Sequence, residues 1–179
     1  MKNIWIAALA LLSIGVGAQE EGNSGIEWMT FEEAVALHEE GDPRMVFIDV
    51  YTDWCGWCKR MDATTFSNPE VAAFMNEHFL NVKLDAEQRE TITFRGHDFN
   101  FVNSGRRGYH ELAANLLQGR LSYPTVVFLD SDFNMIQPVP GYQQVPQFLM
   151  IAEYIGDGHY TNTPWDEFKN SQQSEESEG

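Results

Sequence analysis

Residues 45–59 have the sequence MVFIDVYTDWCGWCK, and they contain the only two cysteines of the 179-residue chain. The first seven residues are almost continuously apolar, as in a strand whose two faces are both buried in a parallel sheet. Cys55 and Cys58 follow, three positions apart. A C-x-x-C motif between a buried strand and the start of a helix indicates a redox-active dithiol. The stretch therefore predicts electron transfer between thiols.

The helix predicted after the strand gives the two cysteines different tasks. Cys55 falls on the first turn, where unpaired backbone N–H groups and the helix dipole stabilise negative charge. We therefore expect a lowered thiol pKa and a nucleophilic role for Cys55. Cys58, one turn further along, is expected to attack the mixed disulfide and release the product. Lys59 adds weak positive potential near the thiolate.

Three other interpretations of the cysteine pair are open, of which one is chance proximity of the two residues in the sequence. A structural disulfide would close so short a loop that it removes little entropy from the unfolded chain. Half of a zinc site would need two further ligands. The histidines that could supply them show no tight ligand spacing: His78, His97, His110 and His159.

Composition and charge exclude some functional classes. The formal net charge is −16 and the hydrophobic content 43%, which suits one domain with a real core. So acidic a chain has no reason to bind nucleic acid and is repelled by anionic membrane surfaces.

The first eighteen residues are predicted to be a signal peptide. Lys2 precedes an apolar run over residues 4–16, and small residues end the segment, so cleavage is expected after about Ala18. A membrane anchor is the alternative, but the run is shorter than the roughly 20 residues that a span requires. The mature protein would be secreted or periplasmic, without stable membrane insertion, where disulfides persist.

The rest of the chain predicts a layered α/β domain with a mixed sheet over residues 28–160, after a linker at 19–27. Predicted helices begin at Thr30, at Cys55 and at Asn68, and further helices cover 107–119 and 145–155. Predicted strands cover 45–51, 80–84, 125–129 and 135–139. Residues 161–179 form a polar acidic tail, of which 171–179 are expected to be disordered.

Residues 47–59 resemble the thioredoxin superfamily, as do Tyr123-Pro124-Thr125 before an apolar strand and Gly141 before the last helix. The segment TFSNPEV at residues 65–71 is similar to exported thioredoxin-like proteins that resemble the C-terminal domain of the membrane thiol–disulfide interchange reductase. The resemblance spans residues 28–156. It implies a thioredoxin-like three-layer fold with a central mixed sheet flanked by helices, and no cofactor or metal.

The resemblance also implies roles at the reacting centre. Cys55 matches the attacking thiol and Cys58 the resolving thiol. Asp49 matches a buried acid that assists proton transfer at the second cysteine, since burial raises a carboxyl pKa toward neutrality. Lys83 matches the lysine that pairs with this acid. The alternatives are an acid exposed at a strand edge and a plain surface lysine.

A second group of matched residues implies a surface for protein substrates. Pro124 matches the family's cis-proline, and Tyr123 precedes it with a backbone free to pair with an added substrate strand. Trp54 and Trp57 flank the thiols and offer apolar contact. For Trp54, simple core packing is the alternative.

The sequence departs from ordinary thioredoxins in two places. The residues between the cysteines are Gly-Trp rather than Gly-Pro, and such residues tune the reduction potential. An insertion covers about residues 86–122, and we hypothesise that it shapes partner choice. The alternative is a surface subdomain that buries its own aromatic rings. Unchanged activity on every partner after deletion of residues 90–105 would remove the hypothesis.

The sequence thus predicts an exported thiol–disulfide oxidoreductase that acts on protein substrates, in the reducing direction, and that a redox partner recycles. A disulfide oxidase or isomerase is one alternative. Another is an adaptor or a metal- or haem-delivery module, although no methionine or histidine neighbours the dithiol to supply a further ligand.

Overall fold

The computed structural model describes residues 25–178; the predicted signal peptide and most of the predicted linker lie outside the described residues. The helices are α1 (Phe31–Glu39), α2 (Gly56–Met61), α3 (Pro69–His78), α4 (Glu111–Leu116), α5 (Val145–Gly156) and α6 (Trp165–Glu178). The strands are β1 (Trp28–Met29), β2 (Met45–Tyr51), β3 (Phe79–Asp85), β4 (Ile92–Phe94), β5 (His97–Phe99), β6 (Phe101–Val102), β7 (Tyr109–His110), β8 (Thr125–Leu129) and β9 (Met135–Pro140). Between residues 25 and 178, no helix combines the length and apolarity needed to cross a membrane.

A five-stranded mixed sheet forms the centre of the domain, in the order β1-β3-β2-β8-β9. β1, β3 and β2 are parallel, whereas β8 and β9 run antiparallel to their neighbours. Two small antiparallel hairpins, β4-β5 and β6-β7, lie in the predicted insertion. The mixed sheet predicted from the sequence is confirmed.

Helices cover both faces of this sheet, which gives the predicted three layers. On one face, α1 and α4 pack against the strands through a mainly aliphatic cluster. On the other face, α2, α3 and α5 pack through a cluster rich in phenylalanine. The buried phenylalanines of the second cluster, whose rings contact one another, are Phe47, Phe66, Phe79, Phe128 and Phe148.

Strand β2 lies at the centre of the sheet between β3 and β8, and both of its faces are buried because helices cover the two sides of the sheet. Successive side chains alternate between the two clusters, as the pleat requires. Val46, Ile48 and Val50 contact the aliphatic cluster, while Phe47 contacts the aromatic one. Asp49 lies on the same face as Phe47 and is 1% exposed. The strand therefore carries a carboxyl group into an otherwise apolar layer.

Two helix starts agree with the sequence in detail. Thr30 and Glu33 form the reciprocal capping box of α1, in which each side chain accepts from the other residue's backbone N–H. Asn68 caps α3, and Pro69 occupies the first helical turn, where a missing N–H costs nothing.

The predicted helix over residues 107–119 is too long at both ends, because α4 covers only Glu111–Leu116. A Cβ on Gly108 would lie 2.1 Å from the Phe101 ring and 2.3 Å from the Val102 carbonyl oxygen, so the chain is packed tightly in the β6-β7 hairpin there. The His110 ring accepts from the Leu112 N–H and caps the helix.

The expectation of disorder over residues 171–179 is also wrong for the described residues, which continue α6 to Glu178. Phe168 is 4% exposed and packs against the rings of Tyr154 and His159. Trp165 adds a second contact with Tyr154. These aromatic contacts hold the first turn of α6 against the domain. The polar residues that follow continue the same helix.

The outer edge of the sheet at β9 is blocked to strand addition. Gly141 donates to the Pro124 carbonyl, so odd-numbered residues of this segment direct their N–H groups toward β8. Two of the three even positions, whose N–H groups would face solvent, are the prolines Pro138 and Pro140, and the third, Ile136, lies at a register shift in the pairing with β8. Proline has no N–H to offer an added strand.

Candidate active site

Cys55 and Cys58 are joined by a disulfide at the start of α2. Cys55 is the N-cap residue, and its Sγ accepts from the Cys58 N–H at 3.1 Å. That contact shows that the helix terminus directs a backbone donor at the first sulfur, as the sequence predicted. The side chains are 5% and 2% exposed, so Cys58 is the more buried.

The two tryptophans of the motif, Trp54 before Cys55 and Trp57 between the cysteines, are largely exposed, at 52% and 57%. Simple core packing therefore does not explain Trp54. The Trp57 ring lies 5.6 Å from the ring of Tyr142, and the Arg60 guanidinium lies 5.5 Å from the Trp57 ring centre. Together these side chains present an aromatic surface beside the disulfide.

Trp54 is held on three sides, partly by the insertion. Its indole N–H donates to the Glu87 carboxylate at 3.0 Å, and the Arg107 guanidinium lies 4.3 Å above its ring. The ring of Tyr123 approaches at 6.0 Å, edge to face. Glu87 and Arg107 both belong to residues 86–122, so the insertion contributes to the site.

The remainder of the insertion packs onto the body of the domain. The Phe94 ring lies 5.2 Å from the rings of both Phe31 and Phe133. Phe94 and Phe99 extend the aliphatic cluster beneath α1. The aromatic rings of the insertion are therefore buried in part against the rest of the domain.

The peptide bond between Tyr123 and Pro124 is cis, as the resemblance implied. Pro124 is buried, and its carbonyl accepts from the Gly141 N–H at 2.8 Å. Within residues 25–178, no group is hydrogen-bonded to the Tyr123 backbone. That backbone, beside Trp54, is available for a hydrogen-bonded ligand.

Asp49 and Lys83 lie opposite each other on the parallel strands β2 and β3, and they form an ion pair. The Lys83 Nζ lies 2.6 Å from the Asp49 Oδ2. Burial raises the pKa of Asp49 to about 6, although the Lys83 charge opposes the rise. No described residue donates to the other carboxylate oxygen, Oδ1, which leaves a buried position where a proton can bind. The alternatives of an edge-exposed acid and a surface lysine are wrong.

Asp62 is a third member of this group, and sequence analysis missed it. Its Oδ1 accepts a hydrogen bond from the Lys83 Nζ, so the ammonium bridges two carboxylates. Burial alone would lower the pKa of Lys83, but the two carboxylates outweigh it and raise that pKa. Asp62 follows Cys58 by four residues, one helical turn, and this spacing could have indicated that the two share a helix face.

The histidines considered as possible metal ligands lie away from the cysteines. Over the described part of the chain, no three His, Cys, Asp or Glu side chains are grouped so as to hold a metal ion. His110 caps α4, and His78 pairs with Asp157 near the end of α5.

The sequence of the chain is similar to those of several known proteins. Residues 18–147 match the family model Thioredox_DsbH, described as "Protein of unknown function, DUF255". The chain is 30% identical over 135 residues to the Thiol:disulfide interchange protein DsbD of Yersinia pestis, which covers 74% of this chain and 18% of that protein. It spans 15% of an uncharacterized Caenorhabditis elegans protein. Most of each of these two relatives therefore has no counterpart here.

Solved structures share the fold. A thioredoxin-fold protein from Helicobacter pylori superposes with a TM-score of 0.55 at 20% identity, over 80% of this chain and 94% of that one. A putative disulphide-isomerase from Bacteroides thetaiotaomicron gives a TM-score of 0.53 at 25% identity, over 79% and 97% of the two chains. The resemblance to the thioredoxin superfamily is confirmed.

The raised pKa of Asp49 predicts how stability depends on pH. Between its unfolded pKa of about 3.9 and its folded pKa of about 6, the folded state keeps a proton that the unfolded state releases. Stability should therefore fall as pH rises through this window. Asp49→Asn should remove the fall and raise the free energy of unfolding at pH 7 by up to about 3 kcal/mol, measured by urea denaturation from pH 4 to 7.

Asp132→Asn is the matched control, because it removes one negative charge from an exposed position. This variant shows how far stability changes when the protein simply carries one negative charge fewer. Parallel stability curves for wild type and Asp49→Asn across this pH range would contradict the prediction.

Proposed function

The chain belongs to the Thioredox_DsbH family of thioredoxin-fold proteins, and on that premise we propose that it is an exported oxidoreductase that reduces disulfides in protein substrates. The observation that carries the proposal is the pairing of Cys55 and Cys58 at the helix start, next to Trp54, whose ring contacts Tyr123. Similarity to an interchange protein supports thiol–disulfide exchange. The sequence of residues 1–18 supports export.

The proposed reaction begins from the reduced dithiol. The Cys55 thiolate attacks one sulfur of a substrate disulfide, forming a mixed disulfide and releasing one substrate thiolate. Cys58 then loses its proton and attacks the Cys55 sulfur, which releases the second substrate thiolate. The two cysteines end as the disulfide present in this structure. A separate redox partner must return two electrons before the next cycle.

Asp49 is proposed to accept the Cys58 proton. A pKa of about 6 leaves the carboxyl mainly ionised at neutral pH, yet close enough to neutrality to exchange a proton readily. Its unpaired Oδ1 is the free acceptor, since Oδ2 is bound to Lys83. Lys83 is proposed to support this transfer by holding the carboxylate in place.

Substrate is proposed to lie along the Tyr123 backbone as an added strand, between the two exposed tryptophans. The free backbone of Tyr123 supports this position. So does the blocked edge at β9, where Pro138 and Pro140 offer no N–H groups. Trp54 and Trp57 supply apolar contact on either side of the disulfide.

A disulfide isomerase or oxidase is the second candidate. The similarity to a putative disulphide-isomerase from Bacteroides thetaiotaomicron favours it, as does Trp57 at the position of the usual proline. Residues between the cysteines change the stability of the thiolate and hence the potential.

The cysteine roles predict a trapping experiment. Cys58→Ser should accumulate mixed disulfides with protein substrates, because nothing resolves the Cys55 linkage, and Cys55→Ser should form none. In an insulin-reduction assay the wild type should be active and both variants inactive. Full activity of Cys55→Ser, or an inactive wild type, would refute the proposed exchange.

The reducing direction predicts a low reduction potential. Equilibration with glutathione buffers, followed by tryptophan fluorescence, should give about −270 mV, whereas an oxidase would lie near about −120 mV. Each 30 mV corresponds to about 1.4 kcal/mol for this two-electron couple. A potential above about −150 mV would reject the reducing direction while leaving exchange itself intact.

The contact between the insertion and Trp54 predicts a change in substrate affinity. Arg107→Ala should release one face of the indole and raise KM for protein substrates about two- to five-fold, the scale of an exposed cation–π contact. Arg106→Ala is the matched control, because Arg106 is an exposed neighbour of equal charge without a ring contact. Equal effects of the two substitutions would argue against a specific contact.

A further inference from the structure

The Lys83 ammonium lies among three aromatic rings that the proposed reaction does not use. The rings, here called the aromatic cage, are those of Trp28, Tyr51 and Phe66. Their centres lie 4.8, 5.0 and 5.5 Å from the Lys83 Nζ, in that order. A cation within about 6 Å of a ring centre is attracted by the negative face of the ring. The ammonium is therefore held by rings as well as by carboxylates.

The aromatic cage is assembled from separate parts of the chain. Trp28 comes from β1, Tyr51 ends β2, and Phe66 ends the π-helical segment that continues α2. The rings of Trp28 and Phe66 also pack edge to face at 5.3 Å, and this contact stabilises the position of both rings. Only 23% of the Lys83 side chain is exposed, which limits its contact with water.

We propose that the aromatic cage positions the Lys83 ammonium between Asp49 and Asp62, and so controls when Asp49 takes up a proton. The inference rests on the proposed function, in which Asp49 accepts a proton during exchange. A lysine side chain is flexible and its ammonium is strongly hydrated. The Asp62 side chain is 42% exposed, so it and water would draw a free ammonium away from the buried carboxyl. The rings oppose that movement, and none of them carries a charge near neutral pH.

The charges around Asp49 explain why the position of Lys83 matters. Burial raises the pKa of Asp49 and the Asp62 carboxylate raises it further, while Lys83 alone lowers it among the groups that the structure describes. The remaining titratable groups facing this region are Tyr51, whose pKa burial raises, and beyond it the carboxylates of Asp53 and Asp85. If the ammonium were displaced, burial and the Asp62 carboxylate would both raise the pKa of Asp49 and so favour its protonated form.

The test is an NMR titration of the Asp49 carboxyl carbon in the oxidised protein. Trp28→Leu should raise the titration midpoint by about one pH unit, because the favourable charge is no longer held close. Trp28→Phe, which keeps an aromatic face, should shift it by less than half as much. Tyr51→Leu removes another ring of the aromatic cage and should also raise the midpoint. It provides the same test if Trp28→Leu does not fold.

Phe79→Leu is the matched control. Phe79 is fully buried on the same side of the sheet, but its ring does not contact Lys83. This substitution should lower stability and leave the Asp49 midpoint unchanged. An unchanged midpoint in folded Trp28→Leu or Tyr51→Leu would overturn the proposal, and so would an equal shift in Phe79→Leu.

The titration is independent of catalysis, because it observes the disulfide form. Shifted midpoints in a protein that fails to reduce insulin would support the aromatic cage and count against the proposed function. Unshifted midpoints in an active protein would reject the aromatic cage alone. The two proposals therefore fail in different experiments.

Discussion

The burial of β2 on both faces is the constraint on which the rest of the structure depends. A strand in this position must match β3 on one side and β8 on the other, and a shift by one residue would exchange its two faces. Its register places Asp49 directly opposite Lys83 and on the aromatic side of the sheet. Since the strand ends at Tyr51, the same register delivers the dithiol to the start of α2.

Local patterns predicted most of what surrounds the dithiol. The apolar run, the cysteine spacing and the cap signals each act within about ten residues, so they can be recognised without the fold. The pairing of Asp49 with Lys83 and the cis bond before Pro124 came from resemblance, since neither has a local signature. The start of α4 was misplaced because a tight contact at Gly108, rather than helix propensity, decides it.

The contacts that the sequence could not show are those between distant elements. Asp62 was missed because nothing in its neighbourhood reveals that Lys83, 21 residues away, bonds to it. Trp28 was missed for the same reason, since β1 joins the sheet only through its pairing with β3. The tail was misjudged because its composition is polar, whereas a single buried ring at Phe168 fixes its helix to α5.

For the proposed thiolate chemistry, an acidic protein needs positive charge near the sulfurs that its own carboxylates do not neutralise. Carboxylates are abundant here, and a cation paired with one contributes little net potential. Arg60 instead lies over Trp57, and Arg107 lies over Trp54. An aromatic face attracts a cation but carries no net charge, so the ring does not neutralise the guanidinium that it holds. The rings proposed to contact a substrate thus also hold two cations near the dithiol.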